Sequence, residues 1–500
     1  MKKNSGVIFL IGAGPGDPDL ITVKGKKLLE RCDVVVYDAL VNELLVAGLP
    51  RSIRRIFVGK RGGEPSCKQE EINRLLVREA RKGRRVARLK GGDPLVFGRG
   101  SEEMEYLAAH GIRYEVVPGI TSAIAAPTSA GIPVTHRSIS RSFSVVTGHL
   151  QEGEDIDTLE LPRADTLVLL MAMENLPALI EKIIASGRFT RRTPAALVRN
   201  GTLPDQQTVT GTLGTIAGLK EKRRVRPPAV FIVGETVRFA KILSWWRTLP
   251  LAGVRVAVLR TSEQSAELID GLTIRGATVI PYPIMRIEPR TKDLRKITAA
   301  FLGRFTMIIF TSPNGAMLFM EYLLKNGADV RSLAGKRVFA LGGGTAAVLR
   351  KYGIRADAFP EKFVAEGVLE MLPDDLSSES ILIPRASIAR EVLPDTLRAR
   401  SARVTVLPVY DTVKTEGSHC VFHDGDYVLF TSSSTVEFFY DDPRRGGIDI
   451  RPVCIGDVTA ATLKRFYRGE IVVAQNATIS ALISALETAV IKNRSRQRKR

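Results

Sequence analysis

The sequence predicts an α/β protein. Short apolar runs alternate with segments of helical period from one end to the other, and several runs open directly into glycine-rich or hydroxyl-rich loops at helix starts. An internal repeat in the second half supports the same class. The 500 residues correspond to about three units of ordinary domain size. With 44% hydrophobic and 25% charged residues, the composition excludes a disordered, collagen-like or coiled-coil chain and reads as a soluble protein.

Taken in order, the elements carry a set of loops at strand ends. Val7 to Ile11 leads into Gly12-Ala-Gly14-Pro15-Gly16-Asp17-Pro18, whose glycines let the backbone approach a ligand closely. Asp17 stands where the dinucleotide fingerprint needs its third glycine, and Pro15 and Pro18 interrupt the helix start, so this is a different loop. No GxxxxGK[ST] loop occurs in this half, which argues against a nucleoside-triphosphate site. Asp33 to Tyr37 ends in Asp38, a carboxylate at the edge where α/β sheets place reaction sites, although a strand-end Asp is more often a cap. Val86 to Leu89 opens into Lys90-Gly91-Gly92-Asp93-Pro94 and then Phe97-Gly98-Arg99-Gly100. Val116-Val117 opens into Pro118-Gly119-Ile120-Thr121-Ser122-Ala123. Thr166 to Met173 is a short buried strand. The whole pattern is that of parallel sheets covered by helices. Pro250 and Gly253 then interrupt the chain before a fresh strand, Val254 to Leu259, and mark a domain boundary.

Beyond that boundary the chain repeats itself. Met307-Ile-Ile-Phe310-Thr311-Ser312 through Phe319 matches Tyr427-Val-Leu-Phe430-Thr431-Ser432 through Phe439, and Gly342 to Thr345-Ala346 matches Gly456 to Thr459-Ala460 in the same order and spacing. Two similar lobes are expected, each with one strand ending in Thr-Ser and another ending in Gly before a helix. Singly, these hydroxyls are ordinary N-caps. Four such ends facing one cleft suit a large polyanion, because helix N-termini favour anions.

The Lys and Arg count exceeds the Asp and Glu count by 73 − 53 = 20, which favours anionic partners without choosing among them. The end, Lys492 to Arg500, reads as a frayed basic tail. Nonspecific nucleic-acid attachment by it is disfavoured, because no RNA-reading motif accompanies it. Cys32, Cys67, Cys420 and Cys454 stand far apart without a CxxC pair, so neither a disulfide framework nor a zinc knuckle is expected, and a reducing compartment fits. No His, Cys and carboxylate cluster has metal spacing, so no metal is expected. His136 and His149 read as capping or packing groups. The apolar stretch after the first residues is too short for a signal region, and no window reaches the length of a membrane span. Export and a membrane are therefore not expected, and the cytoplasm is.

In order, Gly-Ala-Gly-Pro-Gly-Asp-Pro, Val-Val-Tyr-Asp, Val-Gly-Lys-Arg, Arg-Leu-Lys-Gly-Gly-Asp-Pro and Val-Pro-Gly-Ile-Thr-Ser-Ala resemble the tetrapyrrole methylase family, and more narrowly its uroporphyrinogen-III C-methyltransferases. Gly131-Ile-Pro-Val-Thr-His-Arg137 and Asn200-Gly201-Thr202 extend the match, which spans about Val7 to Trp245. The resemblance implies a fold of two α/β subdomains with a cleft over residues 1–247. It also implies S-adenosyl-L-methionine as cofactor, and transfer of two methyl groups to uroporphyrinogen III to give precorrin-2. Pro15, Gly91, Gly92, Asp93, Val96, Thr121, Ser122, Met171 and Gly201 match its cofactor-binding positions, and Asp38 and Lys60 its proton acceptor and proton donor. Read alone, Lys60 is a surface lysine. Met171-Ala172 departs from the commoner Met-Gly by one methyl group. Methylases of this family pair as dimers, so a homodimer through this half is implied.

Phe310-Thr-Ser-Pro-Asn-Gly, Ile383-Pro-Arg385-Ala386, Pro408-Val-Tyr410-Asp-Thr412 and Gly456-Asp-Val-Thr459-Ala460 resemble the uroporphyrinogen-III synthase family over about Ala252 to Ile491. This implies two flavodoxin-like lobes within residues 252–491, lobe one from 252–285 plus 411–491 and lobe two from 286–410, leaving 492–500 as the basic tail. It further implies closure of hydroxymethylbilane with inversion of the last ring, a lyase reaction in which the enzyme's task is chiefly orientation. Tyr410 is the candidate for helping the hydroxyl leave, against a bland reading with its OH in water. Thr311, Ser312, Thr345, Thr431, Ser432 and Thr459 would hold the acetate and propionate groups, with Arg260 and Arg385 adding charge. The expected whole is a bifunctional enzyme of tetrapyrrole biosynthesis serving the sirohaem or cobalamin branch, with small tetrapyrroles as its partners and no nucleic acid. The rivals are an RNA 2′-O-methyltransferase, disfavoured by Asp38, Lys60 and the second half, and a noncatalytic ligand-binding second half.

Overall fold

The computed structural model describes residues 6–47, 49–50, 52–59, 68–149, 156–260, 262–358, 365–415, 422–443 and 447–498. The chain divides into two units, Met1–Val254 with Leu272–Thr278, and Arg255–Gly271 with Val279–Arg500. Length alone suggested about three. The difference arises because the two lobes of the second unit interleave chain segments instead of following one another.

The first unit opens with a parallel sheet of β1 (Val7–Gly12), β2 (Val34–Tyr37), β3 (Arg54–Phe57), β4 (Arg85–Lys90) and β5 (Arg113–Val117), in the order β3-β2-β4-β1-β5. Inner strands of a parallel sheet are covered on both faces and should read as apolar runs. β1 and β2 do so, with Ile8, Leu10, Ile11, Val35 and Val36 fully buried. β4 lies between them yet carries Arg88 and Lys90, only 3% and 4% exposed.

A second sheet follows, of β6 (Phe143–Thr147), β7 (Thr166–Leu170), β8 (Pro194–Arg199), β9 (Gln207–Thr212) and β10 (Ala229–Val233), in the order β6-β7-β10-β8-β9. Here the expectation of parallel sheets throughout is corrected. β6 and β7 are parallel, but β10 runs antiparallel to both β7 and β8, and β9 antiparallel to β8. The reason is local. Only residues 200–206 join β8 to β9, and a parallel crossover needs about a dozen residues or more. Helix Ser122–Ser129 follows β5 of the first sheet and packs Ala123 and Ala126 against Val168, Leu170, Ala196 and Val198 of the second, which ties the two sheets together.

The second unit holds β11 (Arg255–Val258), β12 (Thr278–Pro281), β13 (Met285–Pro289), β14 (Met307–Phe310), β15 (Arg337–Ala340), β16 (Ser380–Ala386), β17 (Arg403–Lys414), β18 (Tyr427–Phe430), β19 (Arg451–Cys454) and β20 (Val472–Val473). One sheet has the order β12-β11-β18-β19-β20, which in its own chain order is the 2-1-3-4-5 arrangement of flavodoxin-like folds. The other, β13-β17-β16-β14-β15, repeats 2-1-3-4 with β14 to β17 and fills its fifth place with β13, antiparallel to β17. Because β17 stays paired with β13 from Pro289↔Tyr410 to Met285↔Lys414, Met285 and residues 411–414 belong to the second lobe's sheet, a few residues beyond the expected edges. The sequence repeat survives in the cores. Phe310 meets Phe319 edge to face at 5.1 Å and 79°, and Phe430 meets Phe439 at 5.4 Å and 81°. Burying each such ring stabilises its lobe by about 1.5–3 kcal/mol.

The expected frayed tail is also corrected. Helix Ile479–Arg498 runs through it, Lys492 and Arg496 reach Glu470 at 2.7 and 3.3 Å, and Asn493 donates to the Tyr427 hydroxyl at 2.8 Å. One acidic side chain thus offsets the repulsion between two of the basic ones one turn apart. Among the described residues, no helix is long and apolar enough to cross a membrane.

Candidate active sites

In the first unit, the loops after β1, β4 and β5 press backbone against backbone. Gly92 donates its N–H to the Gly14 carbonyl (2.7 Å) and accepts from the Gly14 N–H (3.2 Å). A Cβ on Gly119 would stand 2.2 Å from the Gly92 carbonyl oxygen and 2.7 Å from the Gly12 Cα, which is why glycine is needed at this junction. Asp93 spends its carboxylate on the same junction, accepting the Gly119 N–H at 2.9 Å and the Leu95 N–H at 2.8 Å.

Beside this knot lies a hollow. Gly92 has φ +67°, and the space its missing side chain would fill is bounded only by the Ser122 nitrogen at 3.8 Å and the Thr121 Cα at 3.9 Å. Thr121 caps helix Ser122–Ser129 by accepting the Ala123 N–H at 3.3 Å. The loop carrying Pro15 is tied in through the Asp17 N–H, which donates to the Thr202 hydroxyl at 3.1 Å. Gly201 lies so close to the helix that a Cβ there would stand 2.4 Å from that of Ala126. Pro15, Gly91, Gly92, Asp93, Thr121, Ser122 and Gly201 are thereby gathered in one place, with Val96 on the turn that follows Asp93. Met171 stands apart from their direct contacts, 49% exposed and at φ +54°. It ends β7 at the sheet edge where Gly201 follows β8, since both strands run antiparallel to β10. A left-handed glycine with open space beside it and the start of helix Ser122–Ser129 leave main chain accessible here, which suits close approach of a ligand of the kind the sequence implies.

Asp38 follows β2 next to this cradle, since a Cβ on Gly91 would stand 2.7 Å from that of Leu40. Its Oδ1 accepts the Leu40 N–H at 3.2 Å, its Oδ2 lies 3.5 Å from Arg88 Nη2, and its side chain is 28% exposed. Below it, Arg88 Nε and Lys90 Nζ both donate to Glu103 Oε1, at 3.0 and 2.9 Å. Burial, then the charge of Arg88, hold the Lys90 ammonium below its usual range. Sequence reasoning passed over Arg88, Lys90 and Glu103. Their signal was two cations at alternate positions of a strand otherwise read as buried. Lys60 lies outside the described residues.

In the second unit, Tyr410 is buried, which corrects the reading with its OH in water. Its hydroxyl shares a 3.1 Å hydrogen bond with Ser312 Oγ, which also caps helix Pro313–Lys325 by accepting the Gly315 N–H at 3.1 Å. Burial pushes the Tyr410 phenol up, while the Ser312 hydroxyl, the Arg260 charge and Asn314 pull it back. Arg260 comes from the other lobe, just past β11. Burial draws its guanidinium down, the Tyr410 interaction opposes this, and its buried Nε has no hydrogen-bond partner among the described residues. A buried guanidinium that meets no carboxylate among the described residues marks a place where an anion or a developing phenolate would be stabilised.

The hydroxyl residues separate by lobe. Thr311, Ser312 and Thr345 lie on the β14–β15 side, and Thr431, Ser432 and Thr459 on the β18–β19 side. Ser432 caps its helix through the Thr435 N–H at 3.3 Å, and the neighbouring Thr431 Oγ1 is buried and unpartnered. Thr345 and Thr459 are buried in the first turns of their helices, Gly343–Lys351 and Asp457–Leu463. Arg385 finds its partners close by in the chain. Its buried guanidinium is taken by Glu391 and by the Arg390 carbonyl at 2.9 Å, because both partners lie within six residues along the chain.

A family model described as tetrapyrrole (corrin/porphyrin) methylases matches residues 7–217, and one described as uroporphyrinogen-III synthase HemD matches residues 263–484. The chain is 36% identical over 496 residues to the porphyrin biosynthesis protein HemD of Ruminiclostridium josui, covering 96% of this chain and 97% of that one. It is 49% identical over 235 residues to the uroporphyrinogen-III C-methyltransferase of Methanocaldococcus jannaschii, covering 47% of this chain and 97% of that one. A solved uroporphyrin-III C-methyl transferase of Thermus thermophilus, complexed with S-adenyl homocysteine, is 42% identical and has a TM-score of 0.41, covering 47% of this chain and 99% of that one. The chain belongs to the tetrapyrrole methylases through its first half and to the uroporphyrinogen-III synthases through its second.

Proposed function

We propose that the chain carries out two consecutive reactions: closure of hydroxymethylbilane to uroporphyrinogen III by residues 252–491, then methylation of that product to precorrin-2 by residues 1–247. The observation that carries this is the joining in one chain of two families of which the second supplies the substrate of the first. S-adenosylmethionine supplies the methyl groups as a sulfonium with its own leaving group, so the protein's contribution is alignment. The cradle at Gly91, Gly92, Asp93, Thr121 and Ser122 holds it, with Pro15, Val96, Met171 and Gly201 around it. Asp38 accepts the proton that the macrocycle loses once its β-carbon is methylated, and Lys60 stands at the position that matches the family's proton donor. In the second half, Tyr410 donates its hydroxyl proton to the departing hydroxyl group, and Arg260 stabilises the negative charge left on the phenol oxygen. The reading includes a homodimer through the methyltransferase half, tetrapyrroles as the partners, the cytoplasm as the site of action, and sirohaem or cobalamin as the destination.

Anaerobic incubation of the whole chain with hydroxymethylbilane, with and without S-adenosylmethionine, tests it. Isomer III without the methyl donor and its dimethylated form with it are expected. Isomer I alone, unmethylated in both, would refute both halves of the reading.

A further inference from the structure

Two cations in an inner strand of a parallel sheet need a reason. Arg88 and Lys90 project from alternate positions of β4, hence to one face, where helix Gly100–Ala109 covers them and supplies Glu103. Glu103 is fully buried, and one of its oxygens accepts from Arg88 Nε (3.0 Å), Lys90 Nζ (2.9 Å) and Gln69 Nε2 (3.2 Å), while the other is buried with no partner. Taken by themselves, two cations and one carboxylate leave a buried excess of positive charge, which is unfavourable in a place water does not reach. The fourth charge is Asp38. Arg88 has committed its Nε to Glu103 and its Nη1 to the Leu89 carbonyl (3.2 Å), leaving Nη2 to face Asp38 Oδ2 at 3.5 Å. A planar guanidinium clamped at two nitrogens cannot swing, so the direction of its third is fixed. With the Leu40 N–H on Oδ1, both oxygens of the Asp38 carboxylate are oriented, and the part that remains exposed is the part a substrate can meet.

The geometry points to Arg88 as the positioning residue for the Asp38 carboxylate, with Glu103 as the anchor that holds Arg88 in place. The inference rests on the reading of Asp38 as proton acceptor. It assigns Arg88 no contact with the reacting atoms: a guanidinium stays protonated and cannot relay the proton. Its effect falls on the turnover of bound substrate, while the methyl-donor cradle keeps its own bonds between Gly14 and Gly92 and between Gly119 and Asp93.

The test is a double-mutant cycle in the full chain, with uroporphyrinogen III as substrate, reading kcat, KM and S-adenosylmethionine affinity for Arg88→Gln, Arg88→Lys, Glu103→Gln, Asp38→Asn and the Asp38→Asn/Arg88→Gln double variant. Arg88→Gln is expected to lower kcat by about 10²-fold with methyl-donor affinity within twofold, and Arg88→Lys to recover part of the loss. Glu103→Gln should fall between them. In the Asp38→Asn background the Arg88 substitution should cost no further kcat, because its partner is already gone. An Arg88→Gln kcat within twofold of the parent overturns the proposal, and so does an equal loss in the Asp38→Asn background, which would make Arg88 a structural residue. If Arg88→Gln does not fold, Arg88→Lys is carried through the same cycle and judged by the same two results. Full activity of Asp38→Asn is a separate outcome, and it would refute the proton-acceptor reading itself.

Discussion

Replacing Gly119 with alanine probes how the methyl-donor cradle is held. The new Cβ would stand 2.2 Å from the Gly92 carbonyl oxygen and 2.7 Å from the Gly12 Cα. Both are main-chain atoms at the ends of paired strands, so neither can rotate out of the way as a flexible side chain would. Restoring ordinary contact requires the loops to part by about 1 Å. That movement strains the Gly14–Gly92 hydrogen bonds at 2.7 and 3.2 Å and the 2.9 Å bond from the Gly119 N–H to Asp93. Overpacking a rigid site costs about 1–3 kcal/mol, and weakening a hydrogen bond to a charged group adds about 1.5–3 kcal/mol. If roughly half of this falls on the bound state, S-adenosylmethionine affinity drops about 10- to 10²-fold, since each 1.4 kcal/mol is a factor of ten. Titration calorimetry of the whole chain measures the affinity. Ring closure by the second half, which belongs to a separate unit, serves as the internal control and is expected within twofold of the parent. Affinity within threefold of the parent refutes the argument that the three loops are wedged. Loss of both activities refutes it equally, because the damage would then be global.

Four further outcomes are expected. Asp93→Asn can accept through only one side-chain atom where the carboxylate serves two N–H groups, so methyl-donor affinity should fall about tenfold with ring closure unchanged, read by the same calorimetry. Tyr410→Phe leaves Ser312 bonded to the Gly315 N–H, so denaturant unfolding should change by no more than about 1 kcal/mol while kcat for ring closure falls about 10²-fold. A rate within threefold of the parent would make Tyr410 a packing residue. Burial pushes the Cys32 and Cys454 thiols up to about 12 from their ordinary 9.0, so neither should alkylate at pH 8 in the folded chain, as peptide mass spectrometry would show. The same shift has a definite sign in stability. Above pH 9.0 the unfolded chain releases thiol protons that the folded chain retains, so stability falls as pH rises toward 12, by up to about 1.4 kcal/mol per thiol per pH unit, with no such effect below. Cys454→Ala should lose less stability than the parent between pH 9 and 11. Equal losses would contradict the shift.

What the sequence determined by itself is whatever short stretches of chain dictate. Apolar runs bounded by glycine loops specified strands of α/β sheets. Gly12, Gly92 and Gly119 announced close backbone approach, and the matched Thr-Ser and Gly-Thr-Ala segments announced a duplicated lobe whose phenylalanine pairs repeat to within a few tenths of an ångström. Caps such as Thr121, Ser312 and Ser432 act over two or three residues and were legible for that reason. What only the tertiary structure decided depends on groups far apart in the chain, or on which local partner wins. Glu391 pairs with Arg385, and Glu470 pairs with Lys492 and Arg496 of the basic end. The antiparallel run of β8, β9 and β10 follows from a connection too short to cross over. Arg260, just past β11, comes within electrostatic reach of Tyr410 on β17, and Arg88, Lys90, Glu103 and Asp38 form one set because a helix covers a strand. Charge is long-ranged and sequence patterns are short-ranged, so a buried cation's partner becomes known only when the fold has brought it within reach.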